Sequence, residues 1–96
     1  MKMVCVAYGE ALDKDVMGLL DQVGAGGYTK WTLVEGVGRT SGPHLRSHVW
    51  PKGNLVVMVV VEDEIAGLLV DAARRLKRDV STEGLKAFVL NVEEQT

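Results

Sequence analysis

The sequence predicts an α+β domain in which one antiparallel sheet of four strands carries two helices on one face, in the order βαββαβ. Three observations lead there. Apolar residues switch along the chain between the two-residue period of strands and the 3.6-residue period of helices, and they do so twice in the same order. Glycines stop the first strand at Gly9 and the first helix at Gly24. A chain of 96 residues has room for one hydrophobic core and no second module, so both βαβ units must share a sheet. This is the ferredoxin-like pattern, and residues 1–96 read as a single domain.

The first strand runs near residues 2 to 8, a stretch of valines and small apolar residues that ends at Gly9. From Asp13 onward Val16, Leu19, Leu20 and Val23 fall at i, i+3, i+4 and i+7. The spacing predicts an amphipathic helix near residues 13 to 24, with Asp13 as its N-cap and Gly24 as its stop. The second strand is expected near residues 28 to 36, where Thr29, Trp31 and Leu33 alternate with Lys30, Thr32 and Val34. Residues 54 to 61 form the third. Ile65, Leu68, Leu69, Ala72 and Leu76 keep helical spacing over residues 63 to 77, behind the acidic start Glu62-Asp63. Arg74, Arg75, Lys77 and Arg78 near its end complement the helix dipole. Residues 85 to 92 are the closing strand.

Val56, Val57, Met58, Val59, Val60 and Val61 leave no polar side to the third strand. A sheet covered by helices on one side and by water on the other alternates apolar with polar, so the second face of this strand must be covered as well. Val4 to Ala7 has the same two-sided character. Each exposed valine forgoes roughly 1–2 kcal/mol at about 25 cal/mol per Å², and self-association is the simplest cover. The net charge of −2 offers no general attraction to nucleic acid. No apolar run approaches the length of a bilayer span, and residues 1 to 7 hold no signal segment, so a cytoplasmic protein without membrane insertion is expected. Cys5 is the single cysteine and excludes an intrachain disulfide.

Several short motifs resemble one family. Leu20-Asp21-Gln22-Val23-Gly24, then Gly27-Tyr28-Thr29, then Val34-Glu35-Gly36-Val37-Gly38-Arg39 are similar to the first helix end, second strand and following loop of P-II signalling proteins. The closing run Phe88 to Glu94 is similar to their last core strand. The resemblance implies a homotrimer with its sheets facing inward, a small-molecule effector held in clefts between subunits, and a loop after the second strand that touches a target protein such as a membrane transporter. It places Thr29, Gly36, Gly38 and Arg39 on the nucleotide side of the loop base and Lys86 near the family's phosphate-contacting lysine. Thr40 stands where the family has glutamine, and Ser81-Thr82-Glu83-Gly84 replaces its glycine-aspartate-glycine segment. No cation follows among Glu93 to Thr96, and no tyrosine follows Tyr28 to take the family's uridylylation.

Read on their own chemistry, the same residues leave alternatives open. Gly36-Val37-Gly38-Arg39 permits backbone amides to approach a phosphate beside a guanidinium, and serves equally as the exit from a strand. His44 and His48 are four residues apart. A helical turn starting at Pro43 would aim both at a shared divalent metal ion, but two ligands do not close a site without help from another chain. The segment from Val37 to Gly53 concentrates both histidines, Trp50, both prolines and the cations Arg39, Arg46 and Lys52, with no acid among them. A loop this long is generally either functional or disordered, and its contents favour function: its charge suits an anion or an acidic partner, with Arg46 and Trp50 as contact residues, Trp50 serving equally as a packing anchor. Three functions follow: a sensor whose effector is an adenine nucleotide or another anion, a divalent-metal-binding protein resembling the CutA-type tolerance proteins, and a small enzyme. Enzymatic chemistry has the least support. No histidine lies outside the loop, and no paired carboxylates sit in an apolar setting.

Overall fold

A computed structural model describes residues 1–38, 42–44, 53–80 and 84–96. The elements are β1 (Lys2–Gly9), a 3-10 turn (Glu10–Leu12), α1 (Asp13–Val23), β2 (Thr29–Val34), β3 (Gly36–Gly38), β4 (Gly42–His44), β5 (Asn54–Val61), α2 (Asp63–Asp79) and β6 (Leu85–Asn91). The four long strands form one antiparallel sheet in the order β2-β5-β1-β6, and β3 and β4 form a separate two-stranded sheet. The βαββαβ order therefore stands, with β1 in the interior of the sheet.

Two expectations on β2 and the segment after it need correction. The strand expected near residues 28 to 36 ends at Val34, and its tail turns away as β3 to pair with β4. Its simple alternation also fails. Trp31 pairs with Val56 but Val34 pairs with Asn54, so one extra residue of β2 sits in a bulge between them. Leu33 adopts the left-handed region with φ 57°, which a non-glycine residue enters at a cost of about 1–2 kcal/mol. A bulge depends on cross-strand register, to which β-propensity is blind.

The register divides every strand into two faces. Val4, Val6 and Tyr8 of β1 stand beside Leu55, Val57, Val59 and Val61 of β5 and Leu85 of β6, and all are buried. Val16 and Leu20 of α1 and Ala66, Leu69, Ala72 and Ala73 of α2 close over them. The alanines keep α2 near the sheet, and Leu69 fills the space between. α1 stops where expected: Gly24 takes φ 72°, and the Gly24 and Ala25 amides bond back to the carbonyls of Asp21 and Leu20 in a Schellman arrangement.

A polar clamp fastens α1 to the sheet. The hydroxyl of Tyr8, itself 1% exposed, donates to Asp13 Oδ1 at 2.6 Å, and Lys30 Nζ of β2 reaches both Asp13 oxygens at 3.2 Å. Burial, followed by the bond to Asp13, pushes the tyrosine hydroxyl well above its ordinary range. The bond from Tyr8 and then Lys30 hold the Asp13 carboxyl below the usual carboxylate value. A lowered folded-state pKa means the contribution is complete above the unfolded value of about 3.9 and is lost as pH falls through the folded one. Asp13→Asn is expected to lower urea stability by about 1–2 kcal/mol at pH 6, with the difference from the parent shrinking below about pH 4. A gap that persists unchanged into acid would refute the clamp.

Candidate functional site

The sheet face opposite the helices is apolar and open. Met3, Cys5 and Ala7 of β1 lie level with Val60, Met58 and Val56 of β5 and with Leu90, Phe88 and Lys86 of β6. Thr29 and Trp31 continue the rows onto β2. The central members are half-buried because neighbouring side chains shade one another, whereas Trp31 at 48%, Phe88 at 55% and Leu90 at 49% stand largely in solvent. A contiguous face of this kind marks an association surface. The valine run of β5 divides between the two faces. Val59 points under the helices and Val60 points outward.

Residues from distant parts of the chain meet at one end of the sheet, where β1 and β2 end and β5 and β6 begin. The Glu10 amide donates to the Gly53 carbonyl at 2.9 Å, and the Gly53 amide returns a bond to the Glu10 carboxylate at 3.3 Å. The Gly9 amide donates to the Gly84 carbonyl at 3.1 Å. Asn54, opposite Val34 in the register, lays its side chain over Gly36, with Nδ2 2.5 Å from where a β-carbon would stand. A side chain at position 36 would require the Asn54 amide to swing aside, a contact the sequence does not disclose.

The expected ligand residues are distributed over this frame. Thr29 and Lys86 are exposed on the same open face but on β2 and β6, the two edges of the sheet. Three strand spacings, about 14 Å, separate them across the sheet, so the chain does not bring them together by itself. Gly36 and Gly38 lie on β3, opposite His44 and Gly42 of β4. Pro43 and His44 are therefore extended, so the condition under which a helical turn at Pro43 would align the two histidines is not met. Arg39, Arg46, His48 and Trp50 lie outside the described residues. Among those described, no group of three or more histidine, cysteine or acidic side chains is placed to hold a metal.

A groove of about 310 Å³ between α2 and the edge of β6 is lined by Lys2, Gly67, Val70, Arg74 and Val89 among others. It lies apart from the expected ligand residues, and its rim charges are partnered. Arg74 pairs with Asp71 at 3.0 Å, Asp63 with the Met1 amino group at 2.9 Å, and Lys2 donates to Asn91. Arg74 is thereby engaged within α2, while Lys77 and Arg78 occupy that helix's last turn as dipole complements. Sequence reading missed Glu10 and Asn54 altogether. Their partners are remote in the chain, and only Gly9 and Gly53 beside them signalled a junction.

The family model for nitrogen regulatory protein P-II matches residues 1–96. No curated protein sequence matches the chain. Among solved structures it is similar to CPII, a nitrogen regulatory PII-like protein from Thiomonas intermedia bound to ADP, AMP and bicarbonate, with 19% identity, TM-score 0.74, 97% of this chain and 88% of that chain covered. It is also similar to a protein from Thermus thermophilus described as PII-like, at 25% identity, TM-score 0.67 and coverage of 95% and 85%. No helix among the described residues is long and apolar enough to cross a membrane.

Strain at the bulge gives this region a direct test. Leu33→Asn is expected to leave the stability unchanged or raise it by up to about 1 kcal/mol, because asparagine tolerates the left-handed region. Leu33→Val should lower it, since a β-branched side chain resists that conformation. Chemical denaturation of both variants checks the ordering, and the reverse order would place Leu33 in ordinary strand geometry.

Proposed function

The chain belongs to the nitrogen regulatory protein P-II family, and from that membership we propose that it is a non-enzymatic sensor. Its effector, an adenine nucleotide or another anion, binds between subunits of a homotrimer, and the 37–53 loop contacts a target protein. The observation that carries this reading is the placement of Thr29 and Lys86 at opposite edges of one open apolar face. A ring of copies that buries those faces sets the β6 edge of one subunit beside the β2 edge of the next. Lys86 then faces the Thr29 and Gly36–Gly38 side of its neighbour, with Arg39 as the second cation. The ADP, AMP and bicarbonate bound by CPII, which shares the fold, support an anionic effector.

The roles follow from ordinary chemistry. Lys86 supplies a point charge and three donors to phosphate or carboxylate. Gly36 and Gly38 let backbone approach the ligand, and the Thr29 hydroxyl donates or accepts at the nucleoside. The loop carries no tyrosine, so its response to the effector does not run through tyrosine modification.

Isothermal titration with ADP, AMP and bicarbonate tests the effector. Lys86→Ala is expected to weaken nucleotide binding about 10- to 100-fold, as loss of a charged hydrogen bond does, and added salt should weaken the parent. Absence of heat with all three ligands, against a response to Zn²⁺ alone, would overturn the reading. For assembly, light scattering should return three times the chain mass. Val60→Lys, on the open face, should dissociate the assembly with the fold retained, whereas Val59→Lys should unfold the chain by placing an unpaired charge under the helices. A parent that scatters as a monomer would refute the trimer.

A further inference from the structure

The Gly9–Glu10 turn holds two loop roots that are otherwise separate. On one side Glu10 grips Gly53, where the 37–53 segment rejoins the sheet, by two reciprocal bonds, one through its backbone amide and one through its carboxylate. On the other side Gly9 holds Gly84, where the chain leaves residues 81–83 and enters β6 two residues before Lys86. β1 lies between β5 and β6, so this turn is the bridge from one root to the other. Gly9 and Gly53 are buried, while the Glu10 side chain reaches Gly53 from an exposed position. A carboxylate that solvent can reach, on a bond of 3.3 Å, is a contact that can be made or released without opening the core.

We propose that Glu10 is a positioning latch: its carboxylate on the Gly53 amide couples the stability of the strand junctions at Gly53 and Gly84 through the Gly9–Glu10 turn. The backbone bond from Glu10 to the Gly53 carbonyl shares a residue with that contact, and the Gly9–Gly84 bond lies one peptide away. Releasing the carboxylate loosens the turn, and the turn carries the change to Gly84. The expectation that an anion bound beside Lys86 alters protection at Gly53 rests on the function proposed above. The latch itself does not.

Amide hydrogen exchange by NMR on the full chain decides it. In Glu10→Ala the amides of Gly9, Glu10 and Gly53 are expected to exchange about tenfold faster together, while Val4, Val6 and Val57 in the core keep the parent rates. Glu10→Gln, whose amide oxygen can still accept from Gly53, should restore most of the protection. Acceleration at Gly53 with Gly9 unchanged would reduce the contact to a local one and overturn the coupling. So would a uniform acceleration that includes the core, or Ala and Gln variants that behave alike. ADP then serves as the probe of the consequence. It should raise protection at Gly9 and Gly53 in the parent and lose that effect at Gly53 in Glu10→Ala. If ADP leaves the parent unchanged because it does not bind, the effector reading fails, while the exchange rates of the free variants still decide the latch.

Discussion

The central pair β1 and β5 is apolar on both faces, and the chain provides helices for one. Leu55, Val57, Val59 and Val61 lie beneath α1 and α2, while Val56, Met58 and Val60 look the other way with only their neighbours for shelter. Hydrophobic burial is proportional to the area removed from water and has no preference for who removes it. The helix-covered face therefore makes the domain, and the open face is the surface that the proposed assembly would bury. The remaining features of the molecule follow from where the edges of that sheet and the ends of its strands are left.

The strand ends are the second organising feature. In an antiparallel sheet ordered β2-β5-β1-β6, the end of β1 is flanked by the starts of β5 and β6. Gly9 and Glu10 stand at that junction with bonds to Gly84 and Gly53. Backbone amides at strand ends require partners as any buried amide does. Here the partners are Gly53 and Gly84, the residues that lead into β5 and β6. The bulge at Leu33 contributes from the other edge by turning β3 away from the sheet and toward β4.

A fold shared with CPII at 19% identity speaks for architecture, and the family model over the whole chain speaks for membership. Neither assigns a role to a side chain. The placement of Thr29 and Lys86 on opposite edges of the sheet, about 14 Å apart across it, is what the proposed inter-subunit reading rests on.

Sequence alone determined the element order, the extents of β5 and both helices to within two residues, the C-terminal stop at Gly24 and the two-sided character of Val56 to Val61. These are local properties: period, capping and composition are written in neighbouring residues. It also indicated the family, through short motifs carried by contiguous residues. Tertiary structure decided the rest. The bulge that ends the alternation at Leu33 depends on pairing with β5. The extended conformation of Pro43 and His44 depends on pairing with Val37 and Gly36. The grip of Glu10 on Gly53 joins residues 43 positions apart. In each case the deciding partner is a backbone group or a register supplied by another strand, and no pattern within one segment encodes which backbone will lie beside it.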